Sequence, residues 1–286
     1  MGMVGTVGLV LHPKRDSKKA IDTILSWAAV RGATVLGLPD EVDRIDCSAV
    51  AVNGDELVER ADLLVSLGGD GTMLRTMRLI AGRGTPILGV NMGRLGFLAE
   101  IDVEELAATL SAIDSHQYTV EPRMAVRTTL AGSGELTAFN DIALARIPGD
   151  RLAGVRVSPS GQPFVSYAAD AVIVATSTGS TAYSFSAGGP VVSPRVEAVL
   201  VVPAAAHSSF NRALVLPADE EVTLEVLPIS GRLAVELDGI VVGHLVPGDS
   251  ITVAAAPGAA KVVRLGTTFY ERARRKLRVD GSVELG

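Results

Sequence analysis

The sequence predicts an α/β amino-terminal domain with a parallel sheet, followed by a mostly β carboxyl-terminal domain built as a layered sheet or a sandwich. Its 286 residues are 48% hydrophobic and 20% charged, which suffices for a sizeable core in two modest domains. Up to about residue 120, short apolar runs alternate with segments of helical periodicity, a pattern typical of βαβ units. Beyond Tyr118, short runs that alternate apolar and polar residues indicate antiparallel strands.

The first domain begins with a strand that is buried on both faces, because its residues are almost all apolar. Asp16 or Ser17 can cap the first helix and Gly32 can end it, since the apolar residues between them recur at helical spacing. The predicted strands are Val4–Leu11, Ala33–Leu38, Leu63–Leu67 and Ile87–Val90. The other predicted helices are Glu56–Ala61, Met73–Ala81 and Val103–Ile113.

The second domain is predicted from turns and from period-two alternation. Val155–Val157, a turn at Pro159–Gln162 and then Phe164 and Val165 predict a hairpin. Further strands are predicted at Val222–Val226, Leu233–Leu237, Ile251–Ala255 and Val262–Leu265. The change in pattern places the domain boundary near residue 121, which divides the chain into residues 1–121, residues 122–265 and a last segment, 266–286.

Composition excludes several classes of function. There are 26 Lys and Arg residues against 32 Asp and Glu residues, a net charge of −6 that argues against nucleic-acid binding. The longest apolar runs are too short to span a membrane, so no membrane association is expected. Cys47 is the single cysteine, which fits a cytoplasmic protein, and the four histidines lack the spacing of a zinc site. The basic run Glu271–Arg278 is either a solvated helix face or a surface that attracts an anionic substrate.

A glycine-rich loop carries the strongest chemical signal. The strand Leu63–Leu67 runs into Gly68-Gly69-Asp70-Gly71-Thr72, and a helix-forming segment follows. Glycines let successive backbone N–H groups approach an anion, so the loop predicts a phosphate site at the end of a parallel strand. A carboxylate beside a phosphate needs a metal ion between them or a proton to accept, and both belong to phosphoryl transfer. The alternative is a tight turn in which Asp70 caps the helix.

Two further segments suggest a polar ligand. Asp170–Ala175 opens into a stretch rich in Ser, Thr and Gly that offers hydroxyl groups, with Tyr183 as a stacking surface for a base. Asn140 and Asp141, at a predicted strand start, can hold a ribose diol by paired hydrogen bonds. Taken alone, the first segment is better explained as a connecting loop or a helix start, and the second as an ordinary turn.

Together these segments resemble the NAD kinase family, in the bacterial form that uses ATP or polyphosphate. The resemblance rests on Gly68–Thr72, on Asn91-Met92-Gly93-Arg94-Leu95-Gly96-Phe97-Leu98, and on Thr178-Gly179-Ser180-Thr181-Ala182-Tyr183 with Gly188-Gly189-Pro190. It implies a Rossmann-like first domain, a β-rich NAD-binding domain, a final segment that returns to the first domain, and a cytoplasmic homodimer or homotetramer. The implied reaction phosphorylates the adenosine 2′-hydroxyl of NAD, with ATP or polyphosphate as donor and Mg²⁺ as the divalent metal.

The resemblance also assigns roles to individual residues. Asp70 is expected to be the proton acceptor, and no protein-built metal site is expected. The phosphate-binding loop would be Gly68, Gly69, Gly71 and Thr72. The NAD-binding residues would be Asp70, Gly71, Arg75, Asn140, Asp141, Asp170, Thr181, Ala182, Tyr183, Ser184, Phe185 and Ser186.

Three positions depart from the family pattern. Many members have Glu where this chain has Asp141, a basic or polar residue where it has Ala168, and a polar residue where it has Ile240. These departures leave two alternatives open: a nucleotide-binding regulator that has lost turnover, and a kinase with a different hydroxyl acceptor.

Overall fold

The computed structural model describes residues 4–93, 96–266 and 268–279, and it divides into two compact units. The first unit comprises the described residues of 1–122 and 260–286, and the second comprises Arg123–Ala259. No helix in the described part of the chain is both long enough and apolar enough to cross a membrane.

The first unit is a parallel sheet flanked by helices. Its elements in chain order are β1 (Thr6–Leu11), α1 (Lys18–Arg31), β2 (Thr34–Gly37), α2 (Pro39–Ile45), β3 (Val50–Ala51), α3 (Gly54–Arg60), β4 (Leu63–Gly68), α4 (Asp70–Leu79), β5 (Pro86–Asn91), β6 (Ile101–Asp102) and α5 (Leu106–Asp114). The strands lie in the order β3-β2-β1-β4-β5 with every pair parallel, and β6 pairs with β5. This is the Rossmann-like α/β architecture that the sequence predicts. The loops that follow β1, β4 and β5 therefore leave the sheet at the same edge.

The second unit is almost entirely antiparallel β structure. Its elements are β7 (Thr119–Leu130), β8 (Gly134–Ala138), β9 (Asp141–Arg146), β10 (Ala153–Pro159), β11 (Val165–Ala169), β12 (Ala171–Thr176), α6 (Tyr183–Ser186), β13 (Ala198–Ala204), β14 (Leu214–Pro217), β15 (Val222–Val226), β16 (Leu233–Leu237), β17 (Ile240–Leu245) and β18 (Ser250–Arg264). One sheet has the order β14-β13-β12-β9-β16-β17, and β11-β10-β15-β18 form another ladder. A mostly β second domain is confirmed.

The last helix, α7 (Phe269–Leu277), belongs to the first unit. Thr268 and Glu271 form a capping box at its start, because each side chain accepts a hydrogen bond from the backbone N–H of the other. The end of β18 also belongs to the first unit, where Lys261 and Val262 pair with β5 in parallel.

Each unit has its own hydrophobic core. In the first unit, apolar residues of β1, β4 and β5 pack against α1 and α5. In the second unit, the inward-facing residues of β9 and β12 pack with those of β10, β15 and β18. The opposite face of β12 and β13 is also covered, so both faces of these two strands are buried.

Several predicted elements are confirmed. Helix α1 ends at Gly32, which adopts the left-handed conformation with φ of 65°. The predicted hairpin joins β10 to β11 with Val157 opposite Val165, and Ser160 and Gly161 take positive φ in its turn. Residues of β15 alternate between buried and half-buried, as period-two patterning requires.

Three predictions were wrong or incomplete. Helix α4 begins at Asp70 rather than at Met73. The two strands predicted at Ile251–Ala255 and Val262–Leu265 are one continuous strand, β18, because Pro257 and Gly258, which resemble a turn in the sequence, lie inside it. Helix α2 and the two-residue strands β3 and β6 were not predicted. For the two strands the reason is that two residues carry no readable periodicity.

Candidate active site

The glycine-rich loop joins β4 to α4 at the carboxyl edge of the parallel sheet. Strand β4 ends at Gly68, and Gly69 occupies the N-cap position in extended conformation. A Cβ at position 68 would lie 2.0 Å from the hydroxyl of Thr72, so the turn requires glycine there. A Cβ at Gly69 or Gly71 would meet nothing within 4 Å. The backbone at these two residues therefore faces open space that a ligand can enter.

Asp70 is the first residue of α4, and two backbone N–H groups hold its carboxylate. Phe97 donates to Oδ2 and Leu98 to Oδ1, each at 3.0 Å. A Cβ at Gly96 would lie 2.0 Å from Oδ1, so the glycine makes this approach possible. The N-cap alternative is wrong, because Gly69 is the cap residue and the Asp70 carboxylate faces a different segment of the chain.

The same carboxylate contacts the last helix. Lys276 of α7 lies with Nζ 3.2 Å from Asp70 Oδ2, and the two side chains are about one-third exposed. The Lys276 ammonium also lies 4.8 Å from the centre of the Phe97 ring. The basic run in the sequence hinted at a role near an anion, but nothing in it singles out Lys276.

The segment after β5 supplies both groups that hold Asp70. Asn91 donates to the Gly93 carbonyl at 2.9 Å and to Asp102 at 2.8 Å, which fixes the start of the segment. A Cβ at Gly93 would lie 1.9 Å from the guanidinium of Arg15, which donates to the Met92 carbonyl at 2.5 Å. The glycines of the Asn91–Leu98 motif thus make room for Arg15 and for Asp70. Arg94 and Leu95 of the motif lie outside the described residues.

A cluster of cations lies at the carboxyl end of β1, which neighbours β4. Burial lowers the pKa of His12, and so do, in decreasing order, the positive charges of Arg15, Arg44, Arg75 and Lys14. His12 is joined to β4 by its backbone N–H, which donates to the Leu67 carbonyl at 2.8 Å. The cations therefore create a positive field at the sheet edge that carries the glycine loop.

Arg75 projects from α4 toward this cluster. Its guanidinium donates to the Leu11 carbonyl at 2.8 Å and pairs with the buried Glu41. Glu41 in turn accepts the Leu11 N–H at 2.7 Å. Both partners of Arg75 belong to the protein, and its contact with a nucleotide remains a prediction.

In the second unit, Asn140 and Asp141 stand at the start of β9, and a turn carboxylate holds them there. Asp238 lies in the β16–β17 turn with φ of 47°, followed by Gly239. Its carboxylate accepts N–H groups from Phe139 at 3.3 Å, Asn140 at 2.7 Å and Asp141 at 3.3 Å. Asp238 was not predicted as a site residue, although Asp-Gly between two alternating runs is a strong hairpin signal.

Asp141 lies in an environment that disfavours its charge. Its side chain is almost fully buried, and burial is the main cause that raises its pKa from 3.8 to about 7. The negative charges of Asp238 and Glu236 raise the pKa further. Asp141 is therefore a carboxyl group that can be protonated near neutral pH and can donate a hydrogen bond.

The segment after β12 lies against Asn140. The Thr176 hydroxyl donates to the Phe139 carbonyl at 2.6 Å and accepts the Gly179 N–H at 2.9 Å. A Cβ at Gly179 would lie 2.0 Å from the Asn140 carbonyl oxygen, so glycine is required for this close approach. The structure therefore brings Asn140 and Asp141 together with the beginning of the Ser/Thr-rich segment.

The predicted NAD-binding residues Thr181, Ala182, Tyr183, Ser184, Phe185 and Ser186 follow in α6 and the turn before it. Tyr183 and Phe185 are 37% and 41% exposed, which leaves ring surface free for a ligand. Burial raises the pKa of Tyr183, and the charges of Glu236, Asp141 and Asp170 add to this effect. Ser184 is fully buried, and its hydroxyl has no partner among the described residues.

Asp170 stands before β12, whereas the Ser/Thr-rich segment follows that strand. Its carboxylate pairs with Arg146 Nε at 2.5 Å. Asp170 therefore belongs to the opposite end of the strand from Thr176, and its charge contributes to the pKa of Tyr183.

The residues present fit a metal ion that arrives with a polyphosphate. Mg²⁺ is commonly held by substrate phosphates, water and one or two carboxylates. Asp70 is the only carboxylate in the glycine loop, and the described residues contain no group of three or more metal-binding side chains. The loop thus fits a phosphate-bound cation and not a metal site built by the protein alone.

A carboxylate held among glycines at the edge of a parallel sheet, beside a positive cluster, defines the site of a phosphoryl-transfer enzyme. Comparisons with known proteins specify which one. Residues 49–118 match the ATP-NAD kinase N-terminal domain and residues 139–265 match the ATP-NAD kinase C-terminal domain. The chain is 40% identical to NAD kinase 1 of Streptomyces avermitilis, covering 96% of this chain and 87% of that protein. It is 36% identical to the NAD kinase of Desulforamulus reducens, covering 96% and 98%.

Two solved structures are similar across the whole fold. Yeast NADH kinase in complex with NADH aligns with a TM-score of 0.87 at 25% identity, covering 100% of this chain and 91% of that one. The NAD kinase of Archaeoglobus fulgidus in complex with ATP aligns with a TM-score of 0.74 at 25% identity, covering 96% and 100%. The chain therefore belongs to the NAD kinase family, and phosphorylation of NAD is its activity.

Proposed function

We propose that the protein transfers the terminal phosphoryl group of ATP to the adenosine 2′-hydroxyl of NAD, and that Asp70 accepts the hydroxyl proton. One observation carries the proposal. The Asp70 carboxylate is held by the Phe97 and Leu98 N–H groups at the mouth of a glycine loop whose backbone is open. A fixed carboxylate beside a phosphate cradle is what acceptor activation in phosphoryl transfer requires.

The step balances as a simple displacement. The 2′-oxygen forms a bond to the terminal phosphorus of the donor while the bond between that phosphorus and the bridging oxygen breaks. The 2′-hydroxyl proton passes to an Asp70 carboxylate oxygen, and ADP leaves with the electron pair of the broken bond on its terminal phosphate oxygen. Backbone N–H groups of Gly69 and Gly71 and the cations near His12 would hold the phosphates. Mg²⁺ bound to the donor would neutralise the charge that develops on them.

On the acceptor side, Asn140 and Asp141 would bind the adenosine ribose, and Tyr183 would stack on the base. This role fits the protonation of Asp141, because a neutral carboxyl group can donate to a ribose oxygen and accept from a hydroxyl. NAD and NADH carry the same adenosine, so these residues cannot distinguish them. The yeast neighbour is an NADH kinase, and discrimination would fall to Asp170 at the nicotinamide end.

The test is NADP formation by the purified protein with NAD, ATP and Mg²⁺, read through an NADP-specific dehydrogenase. Asp70→Asn should fold and bind NAD but lose about 10²- to 10⁴-fold in turnover, because the amide cannot accept the proton. Asp55→Asn is the matched control, since Asp55 also lies in the first turn of a helix, α3. Turnover near that of the wild type in Asp70→Asn would remove Asp70 from the mechanism.

The same assay separates the remaining alternatives. Polyphosphate in place of ATP, and NADH in place of NAD, measure donor and acceptor preference directly. A folded protein that binds NAD without turnover with either donor would be a regulator. A folded protein that does not bind NAD would require another hydroxyl acceptor.

We also propose that the protein works in the cytoplasm as a homodimer or homotetramer. Ile240 and Val241 support the assembly, because both are 53% exposed on β17, an edge strand of its sheet. Unpaired edge strands with apolar side chains are surfaces that proteins normally cover. Sedimentation analysis of the purified protein measures the oligomeric number.

A further inference from the structure

We propose that Lys276, on the last helix, is a positioning residue that keeps the Asp70 carboxylate oriented for proton acceptance. This inference rests on the proposed role of Asp70. Its basis is the contact between Lys276 Nζ and Asp70 Oδ2 at 3.2 Å, together with the way helix α7 is fixed.

Helix α7 is anchored by a buried ionic network. The Glu100 side chain is fully buried and accepts from Arg264 Nη1 at 2.6 Å and from Arg272 Nη1 at 2.7 Å. Glu100 also accepts the Leu265 N–H at 3.0 Å. Because Arg272 belongs to α7 and Glu100 to the chain that follows Leu98, the network joins the helix to the segment that holds Asp70. Buried ion pairs with several hydrogen bonds fix geometry.

Lys276 lies four residues after Arg272, on the same face of α7. The anchored arginine thus sets the position from which the lysine reaches the carboxylate. The Phe97 ring, 4.8 Å from Nζ, gives the ammonium a second contact. Phe97 also donates its own N–H to Asp70 Oδ2, so the lysine and the carboxylate are held by one residue.

Stability does not explain the lysine contact. Both side chains are about one-third exposed, and ion pairs of this kind add little to the free energy of unfolding. The contact instead changes the electrostatic environment of the proton acceptor. A positive charge 3.2 Å from Oδ2 attracts that oxygen, and so adds a third contact to the two N–H groups that orient the carboxylate.

Charged side chains on the two elements that carry and hold Asp70 have partners of their own. On α4, Arg75 pairs with Glu41 and donates to the Leu11 carbonyl. On the segment after β5, Glu100 pairs with two arginines. Lys276 is in direct contact with Asp70.

The experiment compares Lys276→Met with Arg274→Met in the full chain. Arg274 is exposed on the same helix, two residues away on another face, and it serves as the matched control. Lys276→Met should lower kcat about tenfold with little change in KM for NAD, because the carboxylate loses one of the contacts that orient it. Lys276→Arg should recover most of the lost kcat, because it restores a cation at the carboxylate. Arg274→Met should match the wild type in both kcat and KM.

A purely structural role would not lower kcat alone in a variant that unfolds at the same urea concentration as its control. If Lys276→Met has the same kcat as Arg274→Met, the inference is overturned. Urea unfolding should give the same midpoint for both variants, which separates a local effect from loss of the helix. The proposed function fails separately, if the wild type forms no NADP or if Asp70→Asn remains active.

Discussion

Two carboxylates, one in each unit, stand at the start of a secondary-structure element in opposite surroundings. Asp70 accepts two backbone N–H groups and contacts an ammonium, and about a third of its side chain is exposed. Asp141 is almost completely buried, and the negative charges of Asp238 and Glu236 add to the effect of burial in raising its pKa. The same functional group, a carboxyl, therefore lies among hydrogen-bond donors in the first unit and among other carboxylates in the second.

The difference shows how surroundings can suit one residue type to two tasks. The donors around Asp70 fix the direction of its carboxylate, which is the arrangement that its proposed role requires. A carboxyl group whose pKa is raised to about 7 can donate a hydrogen bond at neutral pH. Asp70 and Asp141 differ because of the groups that surround them in the fold, and not because of their neighbours in the sequence.

Apart from the replacement of Asp70 itself, the largest expected effect comes from disturbing the donors around Asp70. In Gly96→Ala, the new Cβ would lie 2.0 Å from Asp70 Oδ1, so the carboxylate or the segment must move. Turnover should fall about 100-fold or more, since misplacing a reacting group by an ångström costs about that much. NADP formation measures the loss.

Gly84→Ala is the control for this variant, because its Cβ would meet only the flexible end of Lys261 at 3.7 Å. It should retain normal turnover. Unchanged activity in Gly96→Ala would mean that the orientation of Asp70 is not important for catalysis.

The second prediction tests the raised pKa of Asp141. When the pKa of a carboxyl group is higher in the folded protein than in the unfolded chain, protonation of that group stabilises the fold. For Asp141 this stabilisation is complete below pH 3.8, its ordinary pKa, and is lost as the pH rises through about 7. Asp141→Asn mimics the protonated form. When the pH is raised from 5 to 8, the free energy of unfolding of the variant should therefore increase relative to that of the wild type by about 1 to 4 kcal/mol.

Urea unfolding at both pH values measures this difference, and Asp249→Asn, an exposed turn aspartate, should show no such gain. If wild type and Asp141→Asn respond to pH in parallel, Asp141 is ionised in the folded protein and the comparison above fails.

The smallest expected effect is at Tyr183. Tyr183→Ala should raise the NAD dissociation constant about tenfold, which is the contribution of one stacked base, and should change bound-state turnover much less. Tyr183→Phe should bind nearly as well as the wild type if the ring supplies the affinity. Isothermal titration of NAD against both variants checks this. An unchanged dissociation constant in Tyr183→Ala would exclude stacking on this ring.

Much of the fold could be predicted from the sequence, because buried parallel strands and alternating antiparallel strands leave clear patterns. The predictions failed where an element is only two residues long or where a dipeptide inside a strand resembles a turn. Pro257 and Gly258 resemble a turn, but their strand continues through them because its neighbours pair on both sides of that point.

The candidate site was predictable only in part. The glycine loop and Asn140-Asp141 can be recognised from the local composition of the sequence. Lys276 and Asp238 cannot be recognised in this way, because their contacts join residues that are 206 and 98 positions apart in the chain. The need for glycine at position 96 follows from a contact with Asp70 that no local pattern encodes.

The buried Glu100 has a consequence for how the protein is made. Residues 268–279 leave the ribosome roughly 7 to 30 s after residue 122, at synthesis rates of about 5 to 20 residues per second. Until then, Glu100 lacks Arg272 and Asp70 lacks Lys276. A nascent chain therefore exposes its glycine loop before the contacts around Asp70 are complete. A chain cut short before α7 would lack one of the two arginines that pair with Glu100, so its first unit should be less stable than that of the full chain.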